Sequence, residues 1–148
     1  MEVQPDFRDL LALFNVHKVE YMIVGAYALA FHGVPRFTGE LDIFIRSDSE
    51  NARRILKALD EFGFKSVGLT LEDFQSTDKV VQLGVPPVRI DITTSLTGVS
   101  WEEAFSGRAE GKYGDTPVYY IGREQFIANK RALGRKRDLA DLEALGEE

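Results

Sequence analysis

The chain has no cysteine, only two histidines, one tryptophan and two methionines among its 148 residues. Without cysteine there are no disulfides, no zinc–thiolate sites and no thiol nucleophile, and the composition fits a reducing, cytoplasmic setting. Two histidines are too few for a histidine-rich metal centre. No stretch reaches the run of about 20 apolar residues that a membrane span needs, and Met1-Glu2-Val3-Gln4-Pro5-Asp6 has no signal-peptide pattern. Positive charge is also in deficit. The formal net charge of −6 argues against broad nucleic-acid coating, which depends on Lys and Arg neutralising phosphate. The basic group Arg131, Arg135, Lys136 and Arg137 reads first as a solvated helix face and turn, and second as a local nucleic-acid contact.

What is present suits one domain, residues 1–148, around one core: 44% hydrophobic residues, including 10 Phe. There is no internal repeat or linker. Phe7, Leu10, Leu11 and Phe14 recur at helical spacing. Tyr21 to Val24 reads as a buried strand ending at Gly25, and Ala26 to Phe31 as a helix stopped by His32-Gly33. Glu40 to Ile45 is a second strand. Ser47 and Glu50 have capping-box spacing before a helix carrying Ile55, Leu56, Leu59 and Phe62, with Gly63 as its C-terminal cap. Strands are expected at Lys79 to Leu83 and Val88 to Thr93, with a turn or sheet edge at Pro86-Pro87. A short helix at Trp101 to Phe105, a strand at Thr116 to Ile121, and helices at Arg123 to Leu133 and Lys136 to Leu145 complete the chain. The order predicts an α/β (α+β) fold, a mixed sheet of about five strands with helices packed mainly on one face.

Three acids stand out because each lies in a stretch that otherwise reads as buried strand. Side chains alternate along a strand, so Glu40 and Asp42 share one face while Leu41, Ile43 and Ile45 share the other. In the later strand Val88, Ile90 and Ile92 face one way, and Arg89, Asp91 and Thr93 the other. If the two strands pair, Asp91 can lie beside Asp42. Burying unpartnered carboxylates costs several kcal/mol, roughly, and three together repel. A hard divalent cation such as Mg²⁺ relieves both penalties. Acids at i and i+2 plus a third on a neighbouring strand suit two ions about 3.5–4 Å apart, the arrangement used for in-line displacement at phosphorus. The competing reading is a solvent-facing strand with scattered acids, since an acid-x-acid pattern is common. Val24-Gly25-Ala26 ends a strand and opens a helix, where glycine lets an anion approach backbone N–H groups.

Together, Gly25-Ala26, Glu40-Leu41-Asp42 and Asp91 resemble the nucleotidyltransferase superfamily typified by DNA polymerase beta. The stretch Tyr21 to Gly33, continuing through Arg36-Phe37-Thr38-Gly39-Glu40-Leu41-Asp42, is similar to small stand-alone bacterial members, including toxin components of the AbiEii and MenT kind. Asn129-Lys130-Arg131 and Gly134 to Leu142 extend the resemblance over nearly the whole chain. It implies that Glu40, Asp42 and Asp91 hold Mg²⁺ (or Mn²⁺) and act as the catalytic residues. Gly25 and Ala26 would face the nucleotide phosphates, and Arg36 and Lys130 would neutralise triphosphate charge. The implied reaction moves a nucleoside monophosphate from an NTP to an acceptor hydroxyl and releases pyrophosphate. A tRNA or protein acceptor and a cognate antitoxin are the implied partners. Two departures matter: Ala26 stands where a second Gly or a Ser is usual, and Glu40 where Asp is usual. They keep open an alternative, a nucleotide-binding or protein-interaction module that has lost turnover. A plain structural domain with solvated acids is the third reading.

Lys130 falls in the middle of the apolar stripe Phe126, Ile127 and Leu133, where it needs an anion or, by snorkelling, an exit to water. Arg36, beside Pro35, has a guanidinium suited to phosphate or simply to the surface. His32-Gly33 reads as a helix end. Asp138 suits a helix N-terminus, with orientation of Lys130 as the alternative; Trp101, Tyr119 and Tyr120 suit packing before base stacking.

Overall fold

Pro5 opens the first helix, α1 (Pro5–Val16), at a position where a missing N–H is harmless. Its Phe7, Leu10, Leu11 and Phe14 are fully buried, as their spacing predicts. The structure, a computed structural model, describes residues 3–64, 68–85 and 88–147. After α1 come β1 (Tyr21–Val24), α2 (Gly25–Phe31), β2 (Glu40–Ile45) and α3 (Ser49–Leu59), which continues as a π-type turn over Asp60–Phe64. Then follow α4 (Leu71–Gln75), β3 (Val80–Val85), β4 (Val88–Thr93), α5 (Trp101–Ser106), β5 (Ala109–Tyr113), β6 (Thr116–Tyr120), α6 (Arg123–Leu133) and α7 (Lys136–Ala144).

The six strands form one mixed sheet in the order β3-β4-β2-β1-β6-β5. β2 lies between β1, to which it is antiparallel, and β4, to which it is parallel. The sheet has one strand more than the sequence predicts. β5, Ala-Glu-Gly-Lys-Tyr, is an edge strand that buries only Tyr113, so its composition carries little strand signal. α4 is also additional; its Thr70 and Asp73 form a reciprocal cap. At α3 the cap is Asp48 rather than Ser47. The Asp48 carboxylate accepts from the Asn51 N–H at 2.7 Å. The buried Asn51 side chain meanwhile ties Glu20 and Arg46 backbone groups to the helix start. Gly63, with φ +112°, closes the π-type turn instead of capping α3 at Leu59. The turn expected at Pro86-Pro87 lies outside the described residues.

Register gives the two faces of β2 different characters. Leu41, Ile43 and Ile45 are completely buried. Tyr21 pairs with Ile45 and Ile23 with Ile43, and Phe14 of α1 packs edge-on against Tyr21 at 5.7 Å on this side. The opposite face carries Glu40, Asp42 and Phe44. Its far end is apolar, with Trp101 of α5 edge-on to Phe44 at 5.2 Å; burying rings of this size contributes about 1.5–3 kcal/mol each. Its near end is acidic. One strand face therefore anchors itself through Phe44 and presents carboxylates one turn of the pleat away.

Candidate functional site

β2 and β4 pair in parallel with Asp42 opposite Asp91 and Glu40 opposite Arg89. One carboxylate oxygen from each of Glu40, Asp42 and Asp91 lies within 4.8 Å of the others. Thr38 Oγ1 accepts from the Glu40 N–H at 3.1 Å, and the Arg89 N–H donates to Gly39 O at 2.9 Å, so the chain enters β2 in register with β4. Asp42 is the innermost acid. Burial first, then the charges of Asp91 and Glu40, push its carboxyl up to about 6, against the opposing pull of Arg89 and Lys130. Gly25 makes room for it. Its φ is +68°, and a Cβ there would stand 2.2 Å from Asp42 Oδ2. Both the backbone conformation and the close approach require glycine. Ala26, next in α2, is partly buried.

Three oxygen donors gathered this closely, the innermost with a carboxyl raised by burial and by its acidic neighbours, fit a hard divalent cation. They offer nothing to a metal that prefers sulfur or imidazole.

Arg89 stands on the same side of β4. Its Nε and Nη2 donate to the two oxygens of Asp91 at 2.8 and 3.1 Å, and Nη2 lies 3.1 Å from Glu40 Oε1. The sequence places Arg89 on the acid face but gives no sign that it bridges two of the acids.

A second ionic group lies across from the acids, at the α6–α7 corner. Gly134 adopts the left-handed conformation (φ +64°) that ends α6 and turns the chain into α7. Asp138, fully buried, accepts from Arg135 Nε at 2.6 Å, from Arg135 Nη2 at 3.1 Å and from the Arg135 N–H at 3.1 Å. Bonding to Arg135 outweighs burial and, with Lys130, holds the Asp138 carboxyl down at about 2. Lys130 Nζ sits 3.4 Å from Asp138 Oδ1 and 3.3 Å from Asp141 Oδ2, and 5.3 Å from the Phe126 ring centroid. Arg36 pairs with Asp141. Lys130 thus finds its anions within the fold, and Asp138 does orient it. The arginine of the Arg135-x-x-Asp138 cap was legible as charge but not as a partner.

The two groups frame a cleft of about 400 Å³, whose lining includes Gly25, Asp42, Asp91, Lys130, Asn129 and Arg135. Asn129, largely buried, donates from Nδ2 to Thr97 O at 2.8 Å and ties the 95–97 loop to α6; no periodicity marked it. Among the residues expected at the site, the cleft wall carries Gly25, Asp42, Asp91 and Lys130. Glu40 joins through the acidic trio and Arg36 through Asp141, while Ala26 is not part of the wall. A larger cleft, about 680 Å³, lies between Asn15 and the β5–β6 edge, away from the acids. His32 ends α2 with its ring 2.7 Å from Ile121 O. Tyr120 stacks on Phe31 at 4.2 Å, Tyr119 meets Tyr21 edge-on at 6.3 Å, and Trp101 packs as described, so these aromatics serve the interior.

No protein-family model matches the chain, and no curated protein sequence matches it. Solved structures do. A candidate nucleotidyltransferase from Thermotoga maritima superposes with a TM-score of 0.61 at 20% identity, covering 96% of this chain and 93% of that one. The lincosamide antibiotic adenylyltransferase LnuA, with lincomycin bound, gives 0.56 at 14% identity, covering 99% and 98%. At such identities the likeness concerns the path of the backbone. Nearly end to end, this chain has the nucleotidyltransferase fold.

Proposed function

We propose that the chain transfers a nucleoside monophosphate from an NTP to an acceptor hydroxyl, releasing pyrophosphate. The observation that carries this reading is the convergence of Glu40, Asp42 and Asp91 on one side of a cleft whose other side presents Lys130. The acids would hold Mg²⁺ or Mn²⁺. Bound there, a divalent ion supplies positive charge to phosphate oxygens and makes the acceptor hydroxyl a better nucleophile. Gly25, whose missing Cβ makes room for Asp42, would lie beside the triphosphate at the β1–α2 turn. Lys130, fixed by Asp138 and Asp141, stands ready to offset charge building on the leaving pyrophosphate, and Arg36 adds a positive charge at the rim. Because these groups are held before substrate arrives, little reorganisation is needed in the transition state.

The test is incubation with each NTP, labelled at the α-phosphate, with Mg²⁺ or Mn²⁺ and three acceptor classes: bulk tRNA, protein, and small hydroxyl compounds. LnuA, named for an antibiotic acceptor, motivates the third class; the toxin-like resemblance motivates the first, and also a search for a co-purifying antitoxin. Pyrophosphate release that falls roughly 10³-fold in Asp42→Asn is the expected result. Tight NTP binding with no pyrophosphate from any acceptor would instead support the binding-module reading. The Arg89 ion pairs to Glu40 and Asp91 favour that second reading, since they occupy two of the three acids.

A further inference from the structure

We propose that Arg89 is an internal counter-ion of the acidic trio, which neutralises Glu40 and Asp91 until a polyphosphate takes its guanidinium, so that metal and nucleotide bind cooperatively. This rests on the reading of Glu40, Asp42 and Asp91 as the metal site.

The distances define the competition. Arg89 forks both oxygens of Asp91 and also reaches Glu40 Oε1. Among the described residues no cationic side chain pairs directly with Asp42, which feels Arg89 and Lys130 only at longer range. A divalent ion entering beside Asp42 would share Asp91 with a fixed positive charge a few ångströms away. Two cations on one carboxylate repel, and at this distance the repulsion is large in a partly buried setting. A polyphosphate removes the conflict, because it offers the planar guanidinium a second anion of matching fork geometry. On the β3 side Arg89 pairs with Gly84, which has no side chain to stand in the way of a swing away from the acids. Lys130 lacks this freedom, since two buried carboxylates hold it.

The experiment titrates Mn²⁺ into the metal-free protein, following free Mn²⁺ by electron paramagnetic resonance, with and without a non-hydrolysable NTP analogue. In the wild-type protein the analogue should tighten Mn²⁺ binding about tenfold. Arg89→Gln should bind Mn²⁺ alone about tenfold more tightly than wild type, and the analogue's effect should largely vanish. Arg89→Lys keeps the charge without the fork, and should show a smaller gain for Mn²⁺ alone and a weakened analogue effect. It carries the test if Arg89→Gln does not fold. Arg89 variants that bind Mn²⁺ no more tightly than wild type would overturn the proposal. Asp42→Asn separates the two readings. If it loses Mn²⁺ while Arg89→Gln gains nothing, only the role of Arg89 falls. If it binds Mn²⁺ like wild type, the metal site and the counter-ion fall together.

Discussion

Asp42 and Asp138 are both drawn out of water by the fold, and they respond in opposite directions. Asp42 is pushed up to about 6, whereas Asp138 is held down at about 2. The difference lies in their neighbours. Asp138 accepts three hydrogen bonds from Arg135 and faces Lys130. Asp42 faces two other acids, and the nearest guanidinium is committed to those acids. Burial with partners builds a rigid corner; burial against like charge stores a demand for a cation. The α6–α7 corner is structural support for Lys130, and the β2–β4 acids are where, on the proposed reading, a cation would lower the energy.

Opposite effects on stability would sharpen this contrast most. Asp138→Ala leaves Arg135 and Lys130 without their buried anion and should cost about 3–5 kcal/mol in urea unfolding. Asp42→Asn should instead stabilise the metal-free protein at pH 7 by about 2–3 kcal/mol, because it removes a carboxylate held against its neighbours. A destabilised Asp42→Asn would break the comparison. Gly25→Ala forces a Cβ onto Asp42 and strains a positive φ. It should cost about 1–3 kcal/mol and weaken Mn²⁺ binding in the same titration.

A pH series provides a finer contrast. The fold prefers protonated Asp42, so that contribution is full below the ordinary aspartate range and lost as pH rises through about 6. The metal-free protein should gain stability from pH 7 to 5, and Asp42→Asn should lose that slope. Asp138 acts oppositely: its contribution is present above the ordinary range and disappears only as pH falls toward about 2. The smallest effect belongs to Arg36→Gln, below about 1 kcal/mol by thermal melt, because Arg36 is half-exposed and Asp141 keeps Lys130.

Much of the fold was legible where periodicity is strong. The Phe7–Leu10–Leu11–Phe14 stripe, the alternating β2 and β4, and the α6–α7 break at Gly134 all follow from local pattern. β5 was not legible, because an edge strand that buries one side chain needs little hydrophobic pattern. The α3 cap was displaced by one residue because Asn51, buried through contacts from Glu20 and Arg46, decides where that helix starts. At the site, the acids and Lys130 could be named from residue type, and Asp138 as an alternative partner of Lys130, but the pairings of Arg89 with the acids and of Asp141 with Lys130 could not.

By itself the sequence determined which side chains share a face: Glu40 with Asp42, Arg89 with Asp91, Lys130 with an apolar stripe. That follows from the two-residue repeat of a strand and the 3.6-residue repeat of a helix, which are properties of the local backbone. Only the tertiary structure decided that β2 and β4 run in parallel with Asp42 opposite Asp91, that Gly25 yields its space to a carboxylate, and that Arg89 rather than Lys130 answers the acids. Pairing register and charge partnership join residues tens of positions apart, and no local repeat encodes which of them meet.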